Sequence, residues 1–143
     1  MGGDQSESPG LGPLWIVDGN NVMGSRPDGW WRDRAGAAGR LAARIAAHAW
    51  PAGTEVVVVF DGAGPGGPGA AASGGPTVRY SGGARSADDA IVAYLAGATD
   101  RPVRVFTSDR GLAMRCRAAG ADVVGAGAFL RQLESGRAED GRN

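Results

Sequence analysis

The sequence predicts an α/β protein: one three-layer domain with a central parallel sheet of about five strands and helices on both faces. Three observations carry that expectation. The runs Leu14–Asp18, Thr54–Phe60, Val103–Thr107 and Asp122–Val124 are short and Val-rich, as strands covered on both faces are. Stretches of helical spacing alternate with them, which favours parallel strands joined by crossover helices. Three of the runs also close on a carboxylate: Asp18, Asp61 and Asp109. In parallel sheets, ligands gather along the carboxyl edge of the strands. Three carboxylates on that edge repel one another unless a cation or a shared proton lies between them, so the pattern points to a divalent-metal site.

The elements follow in order. Leu14-Trp15-Ile16-Val17 ends on Asp18 and turns at once through Gly19, Asn20 and Asn21. Asp33–Ala49 carries Ala38, Leu41, Ala42 and Ile45 at helical spacing, with Asp33 suited to an N-cap and Pro51-Ala52-Gly53 as the stop. The second strand is followed by 62–76, a stretch of Gly, Pro, Ala and Ser with too little side-chain area to order itself, read as a mobile loop beside the acidic edge. A short strand comes next, then a helix over Ser86–Ala98 with Ile91, Val92 and Leu95 behind a Ser-x-x-Asp start. Helices over Arg110–Ala119 and Ala126–Leu133 flank the last strand. The domain is thus expected over 13–135, with 1–12 and 136–143 as disordered tails.

Composition narrows the function classes. The 143 residues suffice for one domain with a sizeable core. No apolar run is long enough to span a bilayer, and the polar start lacks the basic and apolar regions of a signal peptide, so a cytoplasmic protein is expected. A single cysteine, Cys116, excludes an internal disulfide and a Cys-based zinc site. Fifteen basic residues balance fifteen acidic ones, and every basic residue is arginine. Arg26, Arg32, Arg34, Arg40 and Arg44 crowd one segment, and Arg101, Arg104, Arg110, Arg115 and Arg117 another. Each group forms a phosphate-binding surface if its members share a face.

The candidate site residues each have a structural reading beside the functional one. Asp18 ends a buried strand, where a carboxylate gains little structurally, although Asp-Gly is also a turn pair. Asn21 either bonds its own backbone or holds Asp18 or a phosphate. Asp109 either caps the following helix or, with Ser108 capping instead, is free for a metal. In Ser86-Ala87-Asp88-Asp89 the serine and Asp89 have capping-box spacing, which leaves Asp88 without structural duty. Asp61, before a glycine, reads equally as turn residue or ligand. His48 lies near a helix end without a catalytic partner, Cys116 has core spacing, and Trp30 and Trp31 either stack on bases or pack as a staple. The Gly-rich stretch lacks the Lys-Ser/Thr of a P-loop.

Together, Asp18-Gly19-Asn20-Asn21-Val22-Met23-Gly24, Phe60-Asp61-Gly62, Ala87-Asp88 and Thr107-Ser108-Asp109 resemble the NYN branch of the PIN-like ribonucleases, in particular its bacterial YacP-like members. The resemblance covers Leu14 to Leu133. It implies a sheet ordered 3-2-1-4-5 with Asp18 and Asp109 facing each other across the switch-point crevice. It also implies Asp18, Asp88 and Asp109 as acidic ligands of Mg²⁺ or Mn²⁺, Asn21 as the asparagine of the first motif, and Asp61 and Asp89 as further cleft residues. RNA, single-stranded and associated with mRNA or the ribosome, is the implied partner, with Arg26, Arg32, Arg34, Arg85 and Arg110 as phosphate contacts. Arg85 stands where many members carry lysine, and 62–76 has no counterpart in the pattern. The implied activity is metal-dependent hydrolysis of RNA phosphodiesters. A non-catalytic RNA-binding module and a phosphohydrolase of small nucleotides are the competing readings.

Overall fold

The computed structural model describes residues 12–25, 29–62, 77–82, 86–98 and 100–142, with no account of the side chains of Trp30 and 135–142. Within these lie strands β1 (Leu14–Asp18), β2 (Glu55–Phe60), β3 (Thr77–Tyr80), β4 (Val103–Phe106) and β5 (Asp122–Val124). The helices are α1 (Gly19–Gly24), α2 (Arg34–Ala47), α3 (Ala87–Ala96), α4 (Arg110–Ala118) and α5 (Ala126–Arg142), with a 3-10 turn at Trp30–Arg32. The strands form one all-parallel sheet in the order β3-β2-β1-β4-β5. β1 is central, pairing Asp18 with Val59 of β2 and Val17 with Phe106 of β4.

The pleat sorts the strand residues onto two cores. Val17, Val56, Val58, Phe60 and Phe106 face Leu41, Ile45, Phe129 and Leu130 of α2 and α5. Leu14, Ile16, Val57, Val59 and Val105 face Ile91, Leu95, Leu112 and Cys116 of α3 and α4. On the first face an aromatic cluster closes the end remote from the acidic edge. Trp50 stacks on Phe129 at 6.0 Å and meets Trp15 edge-on at 5.8 Å. Its indole Nε1 donates to the Ile45 carbonyl at 2.9 Å, a second donor there beside the His48 amide at the C-terminus of α2. Cys116 is core, as its spacing predicts, and burial pushes its thiol up to about 11.

Two elements depart from the sequence expectation. The turn after Asp18 is a six-residue helix, α1, so both asparagines sit in its first turn. Its first residue must be glycine because a Cβ on Gly19 would collide with the Phe60 ring. The last helix runs through Arg142 rather than stopping near Leu133, so it takes in most of the stretch read as a tail; no proline interrupts it. Residues 63–76 and 1–11, on which the expectations of a mobile loop and a disordered tail fall, lie outside the described residues, as do Arg26 and Arg85.

Gly19→Ala is expected to destabilise the protein by about 2 kcal/mol through overpacking. Adding Phe60→Leu opens the space, so the double variant should lose clearly less than the sum of the two single losses in urea denaturation. Strict additivity would show that the Phe60 ring does not set this glycine.

Candidate functional site at the carboxyl edge of the sheet

Side-chain alternation along β1 sends Asp18 to the same face as Leu14 and Ile16, the face covered by α3 and α4. Those two helices begin at this edge, so the central strand's terminal carboxylate meets the first residues of both. Asp18 is 4% exposed. Its Oδ2 accepts from the Thr107 hydroxyl at 2.8 Å. Burial drives its carboxyl from 3.8 up to about 6, against the opposing pull of Thr107 and of the Asn21 backbone amide, which approaches without forming a capping bond. Asp88 and Asp109 raise it further by repulsion. Asp88 itself is raised, by burial first and then by Asp109 and Asp61, while Arg115 lowers it. The four carboxylates Asp18, Asp61, Asp88 and Asp109 therefore share one electrostatic environment.

Most of these groups also have a structural bond, which fixes where they point. Asp109 is the N-cap of α4: its Oδ1 accepts from Leu112 N at 3.0 Å, and its own amide donates to Thr107 Oγ1 at 3.1 Å. Ser108 does not take over that cap. Its hydroxyl accepts from Ala126 N at 2.9 Å and serves α5 instead, because the strand end turns it towards the neighbouring crossover. Asp61 is neither a plain turn residue nor a free ligand; its Oδ1 accepts from Ala87 N at 2.6 Å and so caps α3 across the sheet edge. Ser86 caps the same helix locally through Asp89 N at 3.2 Å, whereas the Asp89 carboxylate pairs with Arg115 of α4 at 3.1 Å. Asp88 faces the acidic group without a described hydrogen bond.

Both asparagines of α1 act as staples. Asn21 Oδ1 accepts from Ser108 N at 2.7 Å, tying the end of β4 to α1. Asn20 Oδ1 accepts from Asp61 N at 2.6 Å, tying the end of β2 to the same helix. Asn20 and Thr107 are the residues that reading the sequence overlooked. The available signal was a doubled asparagine after the strand and a hydroxyl closing an apolar strand two residues before Asp109.

The arginines divide. Arg32 and Arg34 lie just before and at the start of α2, on this edge of the molecule, with the Arg32 guanidinium 5.7 Å from the exposed Trp31 ring. Arg110 opens α4 directly after Asp109. The second expected cluster does not form one surface: Arg101 is anchored at the opposite edge by Glu55 at 2.8 Å and the Gly12 carbonyl at 2.7 Å, and Arg104 lies over Trp15 beside Asp122.

Among the described residues, no three Asp, Glu, His or Cys side chains close into a chelating cage. The donors are carboxylate oxygens, hard ligands suited to a small divalent ion that keeps several waters and takes only one or two carboxylates from the protein. Asp18, Asp88 and Asp109 offer oxygen donors of that hard class without closing into a cage, and a cation among them would relieve the repulsion that raises Asp18 and Asp88.

Comparison with known proteins gives the following. The family model described as YacP-like NYN domain matches residues 15–141. A variant of Rae1 (YacP) from Bacillus subtilis superposes with a TM-score of 0.74 at 23% identity, over 90% of this chain and 79% of that chain. A second Rae1 (YacP) structure from the same organism gives 0.68 at 24% identity, over 90% and 78%. No curated protein sequence matches. No helix among the described residues is long and apolar enough to cross a membrane.

The raised Asp18 carboxyl makes a signed prediction for the metal-free protein. Its charge opposes folding fully above about 6, less between about 6 and 3.8, and not at all below 3.8. Asp18→Asn should therefore stabilise the chelator-treated protein at about pH 8, by up to about 3 kcal/mol, with the gain gone in acid below the ordinary carboxyl range. Thermal melts at the two pH values check it; a gain that persists in acid would exclude charge burial as its cause.

Proposed function

The chain belongs to the YacP-like NYN domain family, and from that premise we propose that it is a metal-dependent endoribonuclease acting on single-stranded RNA. The fold is of the PIN-like nuclease type. The observation that carries the reading is Asp18: a buried carboxylate at the end of the central strand, raised by burial and by two further carboxylates and neutralised by no arginine among the described residues. Such a cluster is costly to build and suits a divalent cation.

In this reading Asp18, Asp88 and Asp109 would hold Mg²⁺ or Mn²⁺. Bound there, the ion would supply Lewis-acid activation of a water and charge compensation at phosphorus, chemistry that would leave a 5′-phosphate and a 3′-hydroxyl. The chain's own residues fix the geometry. Thr107 orients Asp18, the cap to Leu112 orients Asp109, and the start of α3, held by Asp61 and Ser86, presents Asp88. Asn21 locks the β4 end beside them, and Asp61 and Asp89 complete the negative rim. Arg32, Arg34 and Arg110 contact the RNA backbone without reading sequence, joined by Arg26 and Arg85. His48, whose ring packs 4.4 Å from Trp50 at the remote edge, takes no part, so a mechanism through paired histidines and a 2′-hydroxyl is set aside. In this reading the protein works in the cytoplasm, on RNA met as mRNA or at the ribosome.

The purified protein is expected to cleave a single-stranded oligoribonucleotide with Mn²⁺ or Mg²⁺ and to stop on addition of EDTA. Asp109→Asn should abolish cleavage while keeping the α4 cap, because the amide oxygen still accepts from Leu112 N. RNA bound without cleavage under any divalent ion would leave a binding module; turnover of nucleotides alone would leave a small-substrate phosphohydrolase.

Asp88 and Asp89 point about 100° apart on α3, so one ion does not engage both readily. Asp88→Asn should lose metal-dependent cleavage with little change in melting temperature. Asp89→Asn should keep most of the activity and shift stability by less than about 1 kcal/mol, the usual worth of an exposed ion pair. Equal losses of activity would make the two a paired ligand set.

A further inference from the structure

Of the five arginines between 101 and 117, three are paired with carboxylates: Arg101 with Glu55, Arg104 with Asp122 and Arg115 with Asp89. Arg110 and Arg117 have no carboxylate partner among the described residues, and they share one surface hollow. That hollow, about 490 Å³, lies between α4 and the edge strand β5 and is lined by Thr107, Ser108, Arg110, Met114 and Arg117, among others. Positions 110, 114 and 117 recur at the 4- and 3-residue spacing that stacks side chains on one helix face. The two guanidinium-bearing positions are seven residues apart, about 10 Å along the helix axis. Between them stands Met114, 69% exposed, one of two large hydrophobic side chains that the described surface exposes. The hollow adjoins the acidic edge through its lining: Thr107 bonds Asp18 and Ser108 precedes Asp109.

We propose that this hollow is an extension of the substrate site, in which Arg110 and Arg117 bind successive backbone phosphates of the RNA strand leaving the cleft and Met114 packs against a base between them. This rests on the ribonucleic-acid substrate proposed above and adds Arg117 and Met114 to it. Charge complementarity selects the occupant. A hollow with two unpaired guanidinium groups beside a group of carboxylates repels cations and attracts a polyanion, and the carboxylate edge restricts the close approach of phosphate to positions where a divalent ion intervenes. The thioether supplies what arginine lacks, a polarisable apolar contact that accepts any base. The result is an RNA grip that raises affinity without sequence readout.

The test compares fluorescence-anisotropy binding of two labelled single-stranded oligoribonucleotides to the whole protein in EDTA, one long enough to run from the cleft over α4 and one that fills only the cleft. For the long strand, Arg110→Gln with Arg117→Gln should lower the slope of log affinity against log salt by about 1.4, two single-strand phosphate contacts. For the short strand, Arg117→Gln alone should leave the slope unaltered. Met114→Ala should weaken the long strand without altering its slope, because it removes contact and not charge. An unaltered slope for the long strand overturns the proposal and leaves the face to solvent or to a protein. An equal fall for both strands when Arg117 is changed also overturns it, since that is general steering. Cleavage by the unsubstituted protein is read separately: slope changes without cleavage retire the nuclease but keep the grip, and cleavage without slope changes does the reverse.

Discussion

The buried carboxylate of Asp18 constrains everything around it. A charge at the carboxyl end of the central strand is 4% exposed, and its one described side-chain hydrogen bond comes from Thr107. Burial raises it to about 6, so the fold carries an uncompensated cost at neutral pH. Repacking to an apolar group would remove that cost at little structural loss, because the strands on either side are already held by a complete parallel ladder. A cation shared with the carboxylates at the start of α3 and α4 would offset that cost.

The neighbouring acids show how a protein can concentrate negative charge without losing geometric control. Asp109 caps α4 and Asp61 caps α3, so each has an oxygen bound to a backbone amide at a helix N-terminus, where the helix dipole favours the anion. Structural and chemical readings of these residues are not alternatives. The cap holds the carboxylate in one rotamer, and preorganisation of that kind is what a site for a small, geometrically demanding ion requires. The two asparagines of α1 extend the same logic to the backbone, binding Ser108 and Asp61 so that three strand ends keep a fixed separation.

Charge is organised on a larger scale too. Equal numbers of acidic and basic residues conceal a segregation: carboxylates gather at one strand edge, while among the described residues Arg101 and Arg104 pair with acids away from it and Arg110 and Arg117 share a hollow on the α4 side without a carboxylate partner. An acidic centre beside a basic face is suited to a polyanion that must be attracted over distance yet meet the carboxylates only through a cation. Net charge alone cannot report this arrangement, since it sums over surfaces that never face the same ligand.

What the sequence determined by itself were those features that local periodicity and composition fix. Val-rich runs such as Val56–Phe60 are parallel strands because every position has a core to face, and Leu41 with Ile45 places α2 on the sheet because helical spacing puts them on one side. The motif around Asp18, Asp88 and Asp109 identified the family and, through it, the strand order, which the sheet bears out. Tertiary structure decided the partners. No local rule says that Asp61 caps a helix that begins twenty-six residues later, that Ser108 serves α5 while Asp109 keeps α4, or that Asn20 rather than only Asn21 is a staple. Nor could spacing reveal that Arg101, Arg104 and Arg115 are neutralised and Arg110 and Arg117 are left to face a hollow together. Those outcomes depend on which strand ends the crossovers bring side by side, a property of chain packing in three dimensions that one-dimensional periodicity does not carry.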